Sequence, residues 1–293
     1  MNSMVPKAVY IETTNYCNAS CIMCPHDNLK RKLEIMSDDT FEKIVSGMRG
    51  VDLSNTQLFL HKEGEPLCDK TIEEKISYVC EALPDIKEIG INTNAMLMTK
   101  DRADKLLQTG LNLIFFSVDG TTSETYDEIR INCRYDVVEK NIEYFLRERQ
   151  RLGKSNIRVV MQMLLNEKTK SQQKEYIKKW GKYNVEFYFK EMHCYLDGGN
   201  SSFEKPDFSV QTSCCDDPFS VLVYYVDGNV GACCWDYNNE YVIGNSKKQD
   251  LNELFNGDKI NYLRKKQKEL NCKDISPCNR CGRIYGKDKI SEY

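Results

Sequence analysis

The sequence predicts a parallel α/β fold, and three observations carry that prediction. From residue 8 to about residue 193, short apolar runs rich in β-branched residues alternate with longer amphipathic stretches. Six strand–helix units can be drawn in this way, too few for a complete eight-fold barrel. At 293 residues the chain is long enough for a sizeable core, as one large domain or one domain plus an appendage.

Strands are expected at residues 8–15, 56–62, 88–92, 113–118, 157–164 and 185–192, where apolar side chains recur with period two. Helices are expected between them at 40–48, 70–82, 100–108, 135–151 and 169–182. The pattern breaks around 196–207 into Asp-Gly-Gly-Asn-Ser-Ser, a loop or linker that divides the chain into residues 1–200 and 201–293. Beyond it, 221–226 and 230–233 flank Asp227-Gly228-Asn229 and read as a β-hairpin. Residues 250–267 read as a helix.

Alternate side chains of a strand face opposite sides, so parity nominates the residues on the inner face. They are His61 and Glu63; Gly90, Asn92 and Asn94; Phe115, Ser117 and Asp119; Arg158 and Gln162; and Glu186, Tyr188 and Lys190. Phe187 and Phe189 are left to meet helices. A polar face opposite an apolar one describes a wall around a polar ligand.

Just after the first strand stands Cys17-Asn-Ala-Ser-Cys21-Ile-Met-Cys24, three thiols at C-x3-C-x2-C with no fourth cysteine nearby. Thiolates suit iron–sulfur clusters, zinc and Cu(I). A cluster of four irons held by three local thiols leaves one iron open. A structural zinc ion asks for a closed set of four, which His26 could complete. The loop resembles the signature of radical S-adenosylmethionine (radical SAM) enzymes. That resemblance implies a partial (β/α)6 TIM barrel, with SAM on the open iron and chemistry at the strands' C-terminal ends. It implies that Cys17, Cys21 and Cys24 hold the cluster, beside Met23.

Further motifs follow in order. Gly64-Glu65-Pro66 is similar to the family's GGEP segment, with Glu63 in place of the first glycine. There Gly64 and Glu65 would hold the SAM amino group, a carboxylate being a strong acceptor for an ammonium. Thr93-Asn94 and Ser117-Val118-Asp119-Gly120 resemble the T-N and S-x-D segments that end the third and fourth strands. The resemblance thus implies SAM contacts from Asn94, Ser117 and Asp119. Arg130 is either a partner for the SAM carboxylate or a solvated helix-end arginine.

Seven more cysteines lie beyond residue 213. Four of them, Cys215, Cys233, Cys278 and Cys281, can be assembled into a second site, two near the hairpin and two from the terminal CxxC. Cys214 competes with Cys215; the distance to Gly228 favours Cys215. This region resembles the twitch domain, a shortened relative of the SPASM domain that carries one auxiliary [4Fe–4S] cluster. Zinc is the alternative, since four thiolates suit it equally well. The spacing is closest to that of aminocyclitol dehydrogenases, which turn a secondary alcohol into a ketone.

The resemblance therefore implies an oxidoreductase that abstracts hydrogen from a polar small molecule, an amino sugar or aminocyclitol. Lys190, His61 and Tyr188 are candidates for base or substrate anchor. The alternatives are an epimerase in which Cys234 or Cys272 returns a hydrogen atom, and a ribosomal-peptide maturase. The first strand begins within about eight residues, so no module to grip a leader peptide is expected ahead of it. A flavodoxin- or ferredoxin-type reductant is the expected partner.

With 41 basic and 44 acidic residues the formal charge is −3, which gives no reason to expect attraction to nucleic acid or to a membrane surface. No apolar run approaches the ~18 residues of a spanning helix, and Met-Asn-Ser-Met-Val-Pro-Lys is no signal peptide. Fourteen clustered cysteines without such a signal point to metal in a cytoplasmic, oxygen-sensitive protein.

Overall fold

The computed structural model describes residues 4–191, Leu196 and residues 208–285. His193, Cys194 and most of the expected linker lie outside the described residues. Six strands run parallel in chain order: β1 (Ala8–Ile11), β2 (Gln57–Phe59), β3 (Glu88–Thr93), β4 (Leu113–Ser117), β5 (Arg158–Leu165) and β6 (Glu186–Glu191). Each expected strand is present, and β1 and β2 are shorter than the period-two runs that announced them.

The sheet continues past β1. There β7 (Val221–Tyr224) pairs parallel to it, followed by antiparallel β8 (Asn229–Gly231) and β9 (Gly244–Asn245). The C-terminal hairpin is therefore built onto the edge of the barrel sheet, making nine strands in the order β9-β8-β7-β1-β2-β3-β4-β5-β6. β6 and β9 are its two edges, so the barrel is partial.

Helices cover the outer face. α1 (Asp38–Ser46) starts where the Ser37 side chain accepts from the Thr40 amide, with Asp38 and Asp39 in its first turn. α2 (Ile72–Ala82), α3 (Lys100–Gln108), α5 (Tyr135–Arg151) and α6 (Gln173–Trp180) fall where the sequence pattern puts helices. α4 (Ser123–Ile129), capped by Thr122, is an addition that seven residues were too few to announce. The expected helix over 250–267 is corrected to two, α7 (Leu251–Asn256) and α8 (Asp258–Lys268). Gly257 between them is extended, at φ −72° and ψ 171°, which no helix continues through.

Packing follows the parity. Val9, Ile11, Leu58, Ile89, Ile91, Ile114, Phe116, Val159, Met161 and Met163 join the helices in one large core. The other face carries a separate small cluster of Phe59, Leu113 and Val160, with Tyr10, Phe115 and Tyr188 beside it. Gly90 is required there: a Cβ would stand 3.2 Å from the Phe59 ring and from the Leu113 carbonyl. Phe187 and Phe189 pack on Tyr176 of α6, as expected. Arg158 and Glu186 share the inner face but sit at the opposite end of the barrel from the cysteine loop's end. They pair with one another there, and Arg158 also pairs with Glu88. Parity gives the face of a strand, not the depth along it.

No described helix is long and apolar enough to cross a membrane.

Candidate active site

At the C-terminal ends of the barrel strands the loops surround a cavity of about 1000 Å³, its open mouth included. Cys17, Cys21, Met23 and Cys24 line one side; Gly64, Glu65, Asn94, Ser117 and Arg130 line another. Thus the sequence-nominated residues, drawn from separate loops, converge on one space. Gly64 makes the convergence possible. Its loop crosses the one after β1 so closely that a Cβ would lie 2.4 Å from the Thr14 carbonyl oxygen and 2.6 Å from that of Tyr16.

Glu65 is buried at the cavity wall. Its carboxylate accepts from the Thr93 hydroxyl (2.6 Å), the Asn94 amide (2.8 Å) and the Leu67 amide (3.1 Å). Burial pushes its pKa up, and these bonds work against that push. Three donors leave about one of a carboxylate's four lone pairs for a ligand. The Asn94 side chain donates to Asn18 within the cysteine loop, and Ser117 donates to Asn92.

Asp119 does not border the cavity. It is fully buried, taking the Leu164 amide on one oxygen and the Arg130 guanidinium on the other. Arg130 reaches the cavity in its place and also approaches the Cys21 sulfur at 3.8 Å. Of the two readings left open for Arg130, the structure places it in the site.

The three thiols are partly buried, and burial raises the pKa of each. A bound metal would hold them as thiolates. His26 does not line the cavity with the three thiols, and its Nε2 is bonded to the Asn15 carbonyl at 2.8 Å. Among the described residues no three Cys, His, Asp or Glu side chains are gathered closely enough to hold one metal ion. The thiols stand around a space, not about a point. A soft donor trio beside a roomy polar cavity fits a cluster with one iron open to SAM.

A second chamber adjoins the first and shares with it His61, Lys62, Glu63, Asn92, Gln162, Lys190 and Trp235. Tyr10, Phe59, Phe115 and Tyr188 form its aromatic wall, with Tyr10 stacked on Phe59 at 5.1 Å. Two of the three proposed anchors, Lys190 and Tyr188, line it as expected. The third, His61, is there too, but not as a base. Its Nδ1 accepts the Asn92 amide at 3.1 Å, so its proton is on Nε2 and no lone pair is free. Burial, with Lys62 adding to it, lowers its pKa to about 3. His61 is a neutral donor. Sequence reasoning passes over Lys62, Trp235 and Tyr10: the parity that nominates His61 and Glu63 leaves Lys62 on the other face, yet the strand ends at Phe59 and the chain bends beyond it.

In the C-terminal part, Cys215, Cys233, Cys278 and Cys281 border one small apolar pocket with Pro218, Leu263 and Ile284. Gln267 accepts from the Cys215 amide and donates to the Cys278 sulfur, and the Trp235 amide donates to the Cys233 sulfur. Cys214 is exposed outside this set. The four-thiol donor set fits a cluster of its own. Of the two thiols weighed as hydrogen donors, Cys234 lines the second chamber and donates to Asp217 at 3.1 Å. Cys272 is fully buried and borders neither chamber, which removes it from that role.

The comparisons agree with this layout. The model of the radical SAM superfamily matches residues 11–170, and that of an iron–sulfur cluster-binding domain, SPASM, matches residues 214–282. The S-adenosyl-L-methionine-dependent 2-deoxy-scyllo-inosamine dehydrogenase of Niallia circulans is 22% identical over 278 residues, 94% of this chain and 92% of that protein. Among solved structures, BtrN in complex with AdoMet and 2-DOIA matches with a TM-score of 0.64 at 18% identity, covering 95% of this chain and 94% of that one. SuiB of Streptococcus suis bound to S-adenosylmethionine matches with a TM-score of 0.69 at 16% identity, over 89% of this chain and 68% of that one. With the first family model spanning more than half of its residues, this chain belongs to the radical SAM superfamily: it is a radical SAM enzyme, using SAM and a [4Fe–4S] cluster, with an iron–sulfur cluster-binding SPASM domain.

Proposed function

We propose that this enzyme oxidises a secondary alcohol on a hydroxylated ring, an amino sugar or aminocyclitol, to a ketone. The observation that carries the reading is the second chamber. An aromatic wall of Tyr10, Phe59, Phe115 and Tyr188 suits the C–H face of a ring. Around it stand His61, Asn92, Gln162 and Lys190 to bond hydroxyl groups. Similarity to a 2-deoxy-scyllo-inosamine dehydrogenase over most of both chains supports the same class of substrate.

In this reading Cys17, Cys21 and Cys24 hold the first cluster, and Cys215, Cys233, Cys278 and Cys281 hold the second. Gly64, Glu65, Asn94, Ser117, Met23 and Arg130 bind SAM, and Asp119 acts by fixing Arg130. When bound, these groups supply one-electron chemistry: a hydrogen-abstracting 5′-deoxyadenosyl radical at the first site and an electron acceptor at the second. The chain's own part is positional. Glu65 takes the SAM ammonium on its remaining lone pair, the aromatic wall sets the ring's height, and His61 Nε2–H donates to a hydroxyl. Lys190 and Tyr188 anchor the far side. The division of the chain near residue 200 and a flavodoxin- or ferredoxin-type reductant belong to the same reading.

One observation favours a second reading, epimerisation: the Cys234 thiol borders the chamber and could return a hydrogen atom to the opposite face. The test is turnover of amino sugars, aminocyclitols and short peptides in deuterated buffer. A ketone formed with 5′-deoxyadenosine supports oxidation. An inverted carbon carrying solvent deuterium, lost in Cys234→Ala, would establish epimerisation instead.

A further inference from the structure

Among the described residues that border the second chamber, one is a carboxylate: Glu63. It stands where the family motif has a glycine. Its side chain is 9% exposed and pairs with that of Lys62, 4% exposed, so the pair is built into the wall between the two chambers. Three neighbours on that wall, Lys62, His61 and Cys234, are already committed. Burial opposes the charge on Lys62, but Glu63, then Glu12, outweigh it and hold the ammonium. An ammonium donates and cannot accept a proton. The lone pair of His61 is taken by the Asn92 amide, and Cys234 donates its own hydrogen to Asp217.

We propose that Glu63 accepts the hydroxyl proton as the alcohol becomes a ketone, with Lys62 as the residue that positions it. This rests on the oxidation reading above. The balance is as follows. The ring carbon gives its hydrogen atom to the 5′-deoxyadenosyl radical. From the carbon radical that remains, one electron leaves to an oxidised iron–sulfur cluster, the O–H bond breaks, and the C–O bond becomes double. The proton goes to the Glu63 carboxylate, which becomes a carboxylic acid. As the electron departs, the hydroxyl turns into that of a protonated ketone, a far stronger acid than any carboxylic acid. A carboxylate with no special activation therefore suffices. Lys62, paired with it, holds it in the wall between the two chambers.

The experiment compares the reconstituted wild type with Glu63→Gln, Glu63→Asp, Lys62→Met and Lys62→Arg, all saturated with SAM. Ketone and 5′-deoxyadenosine are counted, and calorimetry gives the ring's Kd. Wild type is measured first; if it makes no ketone from any hydroxylated ring, the oxidation reading falls and takes this proposal with it. With ketone formed, Glu63→Gln is expected to lower ketone per 5′-deoxyadenosine at least tenfold, within the ~10²–10⁴ that proton transfer supplies. Glu63→Asp, which keeps the charge and the pairing, should recover part of that ratio, with Kd changed less than threefold. Lys62→Met should lower the ratio and Lys62→Arg restore it. An unchanged ratio in Glu63→Gln overturns the proposal and leaves the oxidation intact. So does a Kd weakened more than tenfold at an unchanged ratio, which would make Glu63 an anchor.

Discussion

The Nδ1 lone pair of His61 is spent on the Asn92 amide, and that single bond turns a candidate base into a donor. It also has a consequence for stability. The folded pKa of about 3 lies below the ordinary 6.5, so the neutral ring stabilises the fold fully above 6.5. That contribution is lost as pH falls from 6.5 toward about 3. Urea unfolding at pH 7.5 and pH 5.0 should show a loss that His61→Asn reduces by about 1–2 kcal/mol, since asparagine offers an acceptor that does not titrate. An equal loss in both proteins would mean that the imidazole charges freely. What could be read from the sequence at this scale was identity and face: the three thiols, Gly64, Glu65, Asn94, Ser117, Tyr188 and Lys190 all border the cavities. The hidden part was partnership. Neither the bond that disarms His61 nor the salt bridge that ties Asp119 behind Arg130 leaves a trace in spacing.

Between elements, the loop that follows the cysteines is clamped to the C-terminal part. Arg31 makes a bidentate pair with Glu12 at 2.6 and 2.7 Å, bonds the Tyr237 carbonyl, and lies over the Tyr225 ring at 4.9 Å. Glu12, fully buried, also takes the Val226 amide at 3.0 Å, so one carboxylate joins β1, this loop and the hairpin. Removing one member of a buried pair strands the other, and Arg31→Ala should cost about 3–5 kcal/mol in chemical denaturation. A cost below 1 kcal/mol would show that water reaches Glu12. At the crossing of the first two loops, Gly64→Ala forces backbone apart and should cost about 1–3 kcal/mol and weaken SAM binding together; stability lost with SAM affinity intact would refute the crossing. Strands and long helices were legible because period-two and period-3.6 runs survive in a sequence. The Gly257 break and the seven-residue α4 were not, since a single extended residue or two turns carry too little pattern.

On the scale of the whole molecule, two cysteine sets lie on one continuous nine-stranded sheet, one at the mouth of the barrel and one beside its added hairpin. The chambers between them put Trp235 and Cys234, neighbours of the Cys233 thiol, on the same wall as Glu63 and Lys190. In the proposed oxidation, that arrangement would give an entry for hydrogen abstraction on one side of a substrate and an exit for an electron on the other. Each set should therefore load independently. The most direct measurement is anaerobic reconstitution with iron counting, followed by SAM and dithionite, for wild type, Cys21→Ala and Cys278→Ala. The account predicts about eight irons per chain in wild type, about four in either variant, and 5′-deoxyadenosine from wild type that vanishes in Cys21→Ala. Zinc in place of iron at either cysteine set, or SAM cleavage that survives Cys21→Ala, would contradict it.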